Sequence, residues 1–407
     1  MEEHYDMLII GAGPAGAAAA LYAARAGLNV CLLEKARFPR DKICGDAISG
    51  KSMTVLKDLG LLEEVQNLPH ALIDSITFGN AKHDMVTIPL LGDKRNGLPP
   101  GLVVRRYFFD DFLVNKARQV AHVLENHEAK HVLLENGKVV GVSGWDHAKK
   151  QAFELHASLV LGADGFSSVV ARETGLYEHD PEHWVIALRQ YFKNVKGLDK
   201  EIELHYLDEV QPGYLWLFPA DDGTANVGIG MLHKSLKEKK VDLKEALAKA
   251  ISSDFLKERF AGAEPLEEPK GWNLPVGSKH RKNYGNGFLL LGDAAGLIDP
   301  FSGEGIGNAL YSGKIAAQVA VEAKQAGDFS AAFLKRYDER LWDILGDELA
   351  VSAKLQRIGR IRFLLNFVIR KAAYSQHVRE IISGMMANQV PKTKLANPLF
   401  YVKLLLS

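Results

Sequence analysis

A glycine-rich turn between an apolar run and an alanine-rich segment is the feature that most constrains this chain. Residues 11–16 read GAGPAG, after a strand-like run at 7–10 and before a helix-forming segment at 17–26. In this context the first glycine permits a sharp turn, the second lets a diphosphate approach the backbone, and the third lets the helix pack on the sheet. A turn without a ligand is the alternative. The residues predicted to hold a dinucleotide here are Gly11, Gly13, Pro14, Ala15 and Gly16.

A second apolar strand, residues 28–33, ends at an acidic residue, Glu34. Its carboxylate can accept hydrogen bonds from both hydroxyls of an adenosine ribose, and it follows the glycines at the expected spacing of about 20 residues. Lys35, the next residue, joins it among the cofactor-binding candidates. NAD and FAD share the adenosine diphosphate half, so this element alone does not distinguish them.

Composition sets the outer limits. A chain of 407 residues with 47% hydrophobic content can bury a large core, in two or three subdomains. The formal net charge is zero, so no global basic field argues for nucleic acid. We expect a cytoplasmic protein for four reasons. The sequence has only two cysteines, no glycosylation sequon, no room for a signal peptide and no uncharged apolar run of about 18 residues.

Three polar positions are candidates for contact with the cofactor. Cys44 lies in the loop-like stretch 35–49. A thiol near a cofactor can act as a proton donor or redox group, or it can be inert. Cys31, by contrast, lies in an apolar strand and is interpreted as a core thiol. Arg106 stands at a strand–helix junction and either meets a ribityl or phosphate oxygen or is a surface arginine. Asp164 follows a buried strand, where it either contacts a ligand or caps the next helix.

A zinc-protease pattern, HEAKH, occurs at residues 127–131. The pattern binds metal only on one continuous helix, and here a hairpin with Asn136-Gly137 as its turn follows at once. We therefore place the two histidines at a helix end and a strand start. The sequence predicts no metal site.

From residue 184 to 233 the pattern is typical of an antiparallel sheet. The two-residue period of a strand places Tyr214, Trp216 and Phe218 on one face, with Leu215 and Leu217 on the other. Such a stripe serves packing alone, or it forms a flat wall for a long apolar substrate against a flavin ring.

The second informative stretch is residues 287–310, a buried strand followed by Gly292-Asp293 and a glycine-rich loop into a helix. Asp293 can hydrogen-bond a ribityl hydroxyl, and the N–H groups at the helix N-terminus would stabilise the negative charge of a reduced flavin. One long cofactor, FAD, explains two glycine regions so far apart. The candidates here are Gly292, Asp293, Pro300, Gly303, Gly305 and Ile306.

Together these motifs resemble the FAD-dependent family of the p-hydroxybenzoate hydroxylase fold, over most of residues 5–325. Within that family, PRDKICGDAIS around Cys44 and YLWLFP at 214–219 resemble the geranylgeranyl reductases, which saturate prenyl double bonds using reduced FAD. Arg40 stands where those reductases usually carry glycine, while Cys44 and Gly45 keep the motif.

The resemblance implies hydride delivery from the reduced flavin to one alkene carbon and a proton to the other. Cys44 is the implied proton donor, with Tyr214 as a second candidate, and Trp216 and Phe218 would line the substrate tunnel together with Tyr214. The sequence has no second glycine fingerprint for a standing nicotinamide site. The expected electron donor is therefore NAD(P)H in transient contact, or a reduced electron-carrier protein.

The implied fold class is α/β: a Rossmann-type FAD-binding domain of the p-hydroxybenzoate hydroxylase kind, an inserted antiparallel β-sheet substrate domain and a helical C-terminal region. The predicted boundaries are 1–70, 100–178 and 280–330 for the FAD-binding domain, 71–99 and 179–279 for the substrate domain, and 331–407 for the helical region.

The segment 351–407 holds ten Lys or Arg residues and one acidic residue, a local charge of +9. Interleaved with apolar residues, it reads as basic amphipathic helices that lie on anionic lipid at the inner face of a membrane, or as a helical cap on the body or a second subunit.

Three functions stay open at this point. The first is a reductase of a prenyl lipid or isoprenoid. The second is an FAD-dependent monooxygenase or halogenase of the same fold, although residues 214–219 depart from the Trp-x-Trp-x-Ile-Pro element of such halogenases. The third is a membrane-associated flavoprotein with a binding role.

Overall fold

The computed structural model describes residues 4–90, 92–93 and 97–386. The strands in chain order are β1 (His4–Ile10), β2 (Val30–Glu34), β3 (Ala47–Ile48), β4 (Ala71–Ile73), β5 (Ser75–Asn80), β6 (Met85–Pro89), β7 (Gly101–Val103), β8 (His122–Glu125), β9 (His127–Glu135), β10 (Lys138–Asp146), β11 (Gln151–Gly162), β12 (Trp184–Lys193), β13 (Glu201–Tyr206), β14 (Gly213–Pro219), β15 (Thr224–Leu232), β16 (Glu264–Pro265), β17 (Lys270–Pro275), β18 (Tyr284–Gly285) and β19 (Phe288–Leu290). The α-helices are α1 (Pro14–Arg25), α2 (Gly50–Asp58), α3 (Leu62–Gln66), α4 (Arg106–Ala117), α5 (Val169–Glu173), α6 (His233–Lys239), α7 (Leu243–Ser252), α8 (Lys257–Phe260), α9 (Ile306–Ala326), α10 (Ala331–Gly359), α11 (Arg362–Tyr374) and α12 (Gln376–Met386).

The first sheet has the strand order β18-β19-β11-β1-β2-β8, with β10 and β9 continuing from β11. Strands β19, β11, β1, β2 and β8 run parallel. In this register Ile10 lies beside Gly162, and Gly162 beside Leu290. The carboxyl ends of three strands therefore meet at one edge, where open α/β sheets bind their ligands.

The second sheet has the order β16-β12-β15-β14-β13-β5-β6, with β17 also paired to β12. Its pairs are antiparallel except β13 with β5, which run parallel. A small third sheet joins β3, β7 and β4. The α/β fold class with an antiparallel sheet and a helical C-terminal region is confirmed, while the three domain boundaries stay a prediction.

The histidines of the HEAKH segment are not at a helix end. His127 and His131 both lie in β9, which pairs along its length with β10. The helical interpretation was wrong because edge-strand pairing, which local sequence does not encode, decided the conformation of this segment. Within residues 4–90, 92–93 and 97–386, no group of three or more His, Cys, Asp or Glu side chains is placed to hold a metal ion.

The C-terminal helices α11 and α12 pack on the second sheet. Ile369 and Ala372 of α11 and Val378 of α12 belong to the same buried cluster as Ile76 and Ile88. In the described part of this region the helices thus pack on the body, as one of the two interpretations of the sequence expects, and residues 387–407 of the basic segment lie outside the described residues. A search of the described helices finds none with the length and apolar character needed to cross a bilayer.

Helices α1 and α9 approach closely because small residues face each other. A Cβ atom added to Gly313 would lie 2.4 Å from the carbonyl oxygen of Ala15 and 2.9 Å from the backbone nitrogen of Ala19. This contact holds the N-terminal part of α1 against the helix that follows the second glycine region.

We predict that Gly313→Ala lowers the stability of the protein by roughly 1–3 kcal/mol, because the methyl group forces α1 and α9 apart. Thermal unfolding followed by circular dichroism measures the change. Gly50→Ala is the matched control, since no atom lies within 4 Å of a Cβ there. Equal midpoints for the two variants would contradict the packing argument.

Candidate active site

The N-terminus of α1 lies at the first glycine region. Gly13 is its N-cap residue and no side chain caps the helix, while Pro14 occupies the first turn. A Cβ on Gly13 would meet only the Nη2 atom of Arg106, at 3.9 Å. Gly11 has a φ of +96°, and a Cβ on Gly16 would lie 1.9 Å from the Gly11 carbonyl oxygen. The turn thus exposes uncapped N–H groups to an anion.

Glu34 lies beside this turn, 6% exposed. Its carboxylate accepts hydrogen bonds from the backbone N–H groups of Ala12 at 3.2 Å and Ala36 at 3.0 Å. The Arg40 guanidinium lies 3.3 Å from the same carboxylate and 2.8 Å from Asp110. The residue that departs from the reductase motif therefore bridges two acids, Glu34 and Asp110. Lys35 is exposed.

Arg106 is a buried residue, 5% exposed, and not a surface arginine. It forms a two-point ion pair with Asp110, at 2.5 and 2.7 Å. Burial opposes its charge, but Asp110 and the neighbouring Cys44 side chain hold the pKa of Arg106 above its ordinary value. One guanidinium therefore stands between the diphosphate turn and the thiol of the loop.

Asp164 lies between β11 and α5, and its two carboxylate oxygens differ in their surroundings. Its Oδ2 accepts a hydrogen bond from the Val169 N–H at 2.7 Å, at the start of α5. Its Oδ1 is buried and has no hydrogen-bond partner among the described residues. Burial raises the pKa of Asp164. Since an unpaired buried acceptor is costly, a ligand hydroxyl is the group that would satisfy it. The helix-cap and ligand interpretations are compatible here.

Asp293 lies at the end of β19, beside the first glycine region. A Cβ on Gly292 would be 3.2 Å from that of Ala15, and one on Gly305 would be 3.9 Å from Asp293 Oδ1. Lys42 Nζ is 3.7 Å from Asp293 Oδ2 and 4.5 Å above the Trp272 ring. Burial and the charge of Arg106 lower the pKa of Lys42, although Asp293 opposes this. The contact of Lys42 with Asp293 could not be read from sequence.

An apolar cleft opens between β14 and the loop before α9. The space between its walls, open solvent included, is about 710 Å³, and both Pro300 and Gly303 of the loop line it together with Tyr214 and Trp216. Its apolar lining includes Val185, Tyr206, Leu274, Val276, Ile298 and Phe301.

Tyr214 connects the aromatic strand to the loop. Its hydroxyl donates to the Ser302 carbonyl oxygen at 2.9 Å. A Cβ on Gly303 would lie 2.8 Å from that hydroxyl. Burial, with the charge of Asp299 adding to it, raises the pKa of Tyr214. Ile306, the first residue of α9, is buried in the core behind the loop.

The aromatic stripe has the two faces that the strand period predicts. Tyr214, Trp216 and Phe218 belong to one cluster, whereas Leu215 and Leu217 belong to another on the opposite side of the sheet. Phe218 does not line the cleft. It lies against the loop instead, where a Cβ on Gly45 would be 3.1 Å from its ring.

Asp46, which sequence reasoning missed, joins the loop to the second sheet. Tyr191 donates a hydrogen bond to its carboxylate at 2.5 Å and Asn226 donates another at 2.7 Å. The backbone N–H of Arg106 approaches the other oxygen at 3.3 Å. Burial raises the pKa of Asp46 to about 6, although Tyr191 and the charge of Arg189 oppose the rise.

Asn226 is the second residue that the sequence did not reveal. Its amide donates to the Cys44 carbonyl oxygen at 2.7 Å and accepts from the Trp216 indole at 2.8 Å. The buried amide therefore ties the thiol loop to the aromatic strand. No local signal marks Asn226, because its partners come from the register of β14 with β15 and from a loop far away in sequence.

Asp46 leads to a pH prediction. Folding raises its pKa from about 3.9 in an unfolded chain to about 6, so its contribution to stability is complete below about pH 4 and is lost as the pH rises through 6. Relative to Asp46→Asn, wild-type protein should lose about 3 kcal/mol over that range. Unfolding of both proteins at several pH values between 3 and 7.5 measures this. Parallel stability curves would show that Asp46 does not titrate as argued.

Two features fit the polar half of a dinucleotide: the uncapped N–H groups at Gly13 and a buried oxygen of Asp164 that has no hydrogen-bond partner among the described residues. The family model described as FAD binding domain matches residues 4–340. Digeranylgeranylglycerophospholipid reductase 1 of Methanopyrus kandleri is 34% identical over 343 residues, which cover 83% of this chain and 86% of that protein.

Solved structures show the same architecture. A geranylgeranyl bacteriochlorophyll reductase-like protein from Thermoplasma acidophilum superposes with a TM-score of 0.78 at 25% identity, over 100% of this chain and 96% of that chain. A flavin-dependent brominase has a TM-score of 0.76 at 21% identity, over 99% and 98% of the two chains, and shows the shared fold alone. The chain is an FAD-dependent oxidoreductase that belongs to the FAD-binding domain family and, within it, to the family of the digeranylgeranylglycerophospholipid reductases.

Proposed function

We propose that this flavoprotein reduces carbon–carbon double bonds in the prenyl chains of an isoprenoid lipid. The observation that carries the proposal is the apolar cleft, which Tyr214 and Trp216 line together with Pro300 and Gly303 of the loop before α9. A chain of isoprene units has no polar groups to satisfy, so an apolar cleft beside a redox cofactor suits it. Relatives named as digeranylgeranylglycerophospholipid reductases support this substrate class.

Bound FAD, once reduced, supplies the hydride. The protein holds the alkene of the substrate between the aromatic strand β14 and the loop before α9, and it keeps water out of the cleft. The bond from the Tyr214 hydroxyl to the Ser302 carbonyl fixes the width of this opening. Positioning of this kind is a major source of rate enhancement in a reaction whose partners must meet at one geometry.

Reduction of an isolated alkene also needs a proton at the second carbon. Cys44 is the proposed donor: its side chain is partly buried beside Arg106, and Asn226 holds its carbonyl group. Tyr214 is the second candidate and the weaker acid, because its hydroxyl already donates to Ser302 and burial raises its pKa. The electron donor is proposed to be NAD(P)H in transient contact or a reduced carrier protein.

We predict that Cys44→Ala slows alkene reduction by roughly 100-fold or more, the usual loss when a general acid is removed. Anaerobic protein reduced with dithionite is incubated with a geranylgeranyl lipid, and mass spectrometry follows the stepwise addition of hydrogen pairs. Cys31→Ala, which removes the buried thiol of β2, is the control and should react at the wild-type rate.

Each outcome of this experiment is informative. Unchanged activity in Cys44→Ala would reject Cys44 as donor and direct the test to Tyr214→Phe. Wild-type protein that leaves every prenyl lipid unsaturated would reject the proposed function. Incorporation of oxygen under air with NADPH would instead indicate the monooxygenase alternative, and a flavin unreactive with all substrates would leave only a binding role.

We also propose that the protein contacts membranes peripherally through α11 and the turn before it. Ile361 and Phe363 are exposed, Phe363 at 72%, and Phe363 stacks on Phe367. Arg370 of this helix is exposed. Apolar side chains among cations are the pattern of an amphipathic helix that lies on anionic lipid.

We predict that Phe363→Ser lowers the partition coefficient onto vesicles containing anionic lipid by roughly 30-fold, as measured by sedimentation, because it removes about 2 kcal/mol of apolar transfer. Leu134→Ser is the control: Leu134 is similarly exposed, at 57%, but lies in β9. Identical sedimentation of both variants and the wild type would contradict contact through α11.

A further inference from the structure

The side chain of Arg40 lies between two acidic side chains beside the first glycine region. Its Nη2 donates to Glu34 Oε2 at 3.3 Å, and its Nη1 donates to Asp110 Oδ2 at 2.8 Å. The same Glu34 oxygen accepts a hydrogen bond at 3.2 Å from the backbone N–H of Ala12, inside the glycine turn. One carboxylate oxygen therefore connects Arg40 to the turn that is predicted to hold the diphosphate.

An aromatic ring supports the guanidinium group from a third side. The Cζ atom of Arg40 lies 4.6 Å from the centre of the Phe38 ring, a distance at which the ring attracts a cation. Phe38 is itself buried, and its backbone N–H donates to Glu125 Oε1 at 2.6 Å. Glu125 pairs with Arg118 at 2.8 Å, so its charge is already balanced. The Arg40 side chain is 19% exposed, and a cation in such a position is screened only in part by salt.

Arg40 balances a charge that its neighbours leave over. The side chains of Glu34 and Asp110 are 7% and 0% exposed, and Arg106 pairs with Asp110 at 2.5 Å. Burial opposes the charge of Asp110, but Arg106 and Arg40 hold the pKa of this carboxyl group below its ordinary value. With glycine at position 40, where the geranylgeranyl reductases usually carry it, these two acids would share one arginine. A buried negative charge would then remain beside the glycine turn.

We infer that Arg40 is a binding residue for the adenosine diphosphate half of FAD, because it neutralises Glu34 and Asp110 at the place where the diphosphate binds. The diphosphate brings its own negative charge to the N–H groups of the turn. An unbalanced acid in the same place would repel it, and the repulsion is stronger in a partly buried site than in water. This chain therefore retains FAD more tightly than it would with glycine at position 40. The inference concerns the cofactor alone and does not depend on the prenyl substrate.

The test measures the affinity of the FAD-free protein for FAD, by titration followed through the quenching of flavin fluorescence. We expect Arg40→Gly to raise the Kd for FAD roughly tenfold, the effect of losing one charge-assisted interaction. Arg40→Lys keeps the charge and should stay within about threefold of the wild type on the same scale. Arg37→Gly removes an exposed arginine from the same loop and is the matched control, with a Kd equal to that of the wild type.

Two further measurements locate the effect within the cofactor. Calorimetry with ADP, which lacks the flavin ring, should show the same fold-loss in Arg40→Gly as the titration with FAD. The midpoint potential of bound FAD should be equal in Arg40→Gly and the wild type, because a contact with the adenosine diphosphate half acts equally on the oxidised and reduced cofactor. A loss of FAD affinity without a loss of ADP affinity, or a shifted potential, would place the effect at the flavin ring and overturn the inference.

Other results also decide against a role of Arg40 in cofactor binding. An unchanged Kd for FAD in Arg40→Gly would reject it, and so would an equal rise of the Kd in Arg37→Gly, which would indicate only the general charge of the loop. Thermal unfolding of each FAD-free variant shows whether it is folded. If Arg40→Gly is not, Arg40→Gln takes its place, and equal ADP affinities of folded Arg40→Gln and Arg40→Lys would show that the charge at position 40 does not matter.

Discussion

The buried carboxyl group of Asp46 holds the two halves of the site together. It receives hydrogen bonds from Tyr191 and Asn226 of the second sheet and lies at the end of the thiol loop that begins beside the first sheet. A carboxyl group without solvent is costly unless its oxygens are paired, so this junction is stable only when the loop and the sheet meet in one geometry. The position of Cys44 relative to Trp216 depends on that geometry, through Asn226.

Two physical environments lie on either side of this junction. On the first sheet, uncapped N–H groups, Arg106 and the unpaired oxygen of Asp164 suit the polar end of a dinucleotide. On the second, aromatic and aliphatic side chains form a cleft that suits a hydrocarbon chain. The loop at Pro300 and Gly303 belongs to both, because it connects β19 to α9 and accepts a hydrogen bond from Tyr214 of β14. An oxidoreductase that acts on a lipid needs its polar cofactor site and its apolar substrate cleft to be in contact with each other.

Local patterns predicted much of this arrangement, since they report on short-range geometry. The glycine turn needs a positive φ at Gly11 and no side chain at Gly16, and both requirements can be read from residue types. The alternation in Gly213–Pro219 determined which side chains share a face. The conformation of His127 and His131 was predicted wrongly because the strand that contains both residues forms by pairing with β10. Phe218 shares the predicted face but contacts Gly45 rather than the cleft, a difference of position along the strand that periodicity does not resolve.

The amino-acid order by itself determined the dinucleotide turn, the acidic residue after β2, the second glycine region and the aromatic stripe, because each depends on neighbours within a few residues. Only the tertiary structure decided that Asp46, Asn226 and Lys42 belong to the site, that Arg40 spans Glu34 and Asp110, and that the end of α10 lies on the rim of the cleft. Those contacts join segments that are distant in sequence. They are determined by burial, strand register and helix packing, and not by local conformational preference.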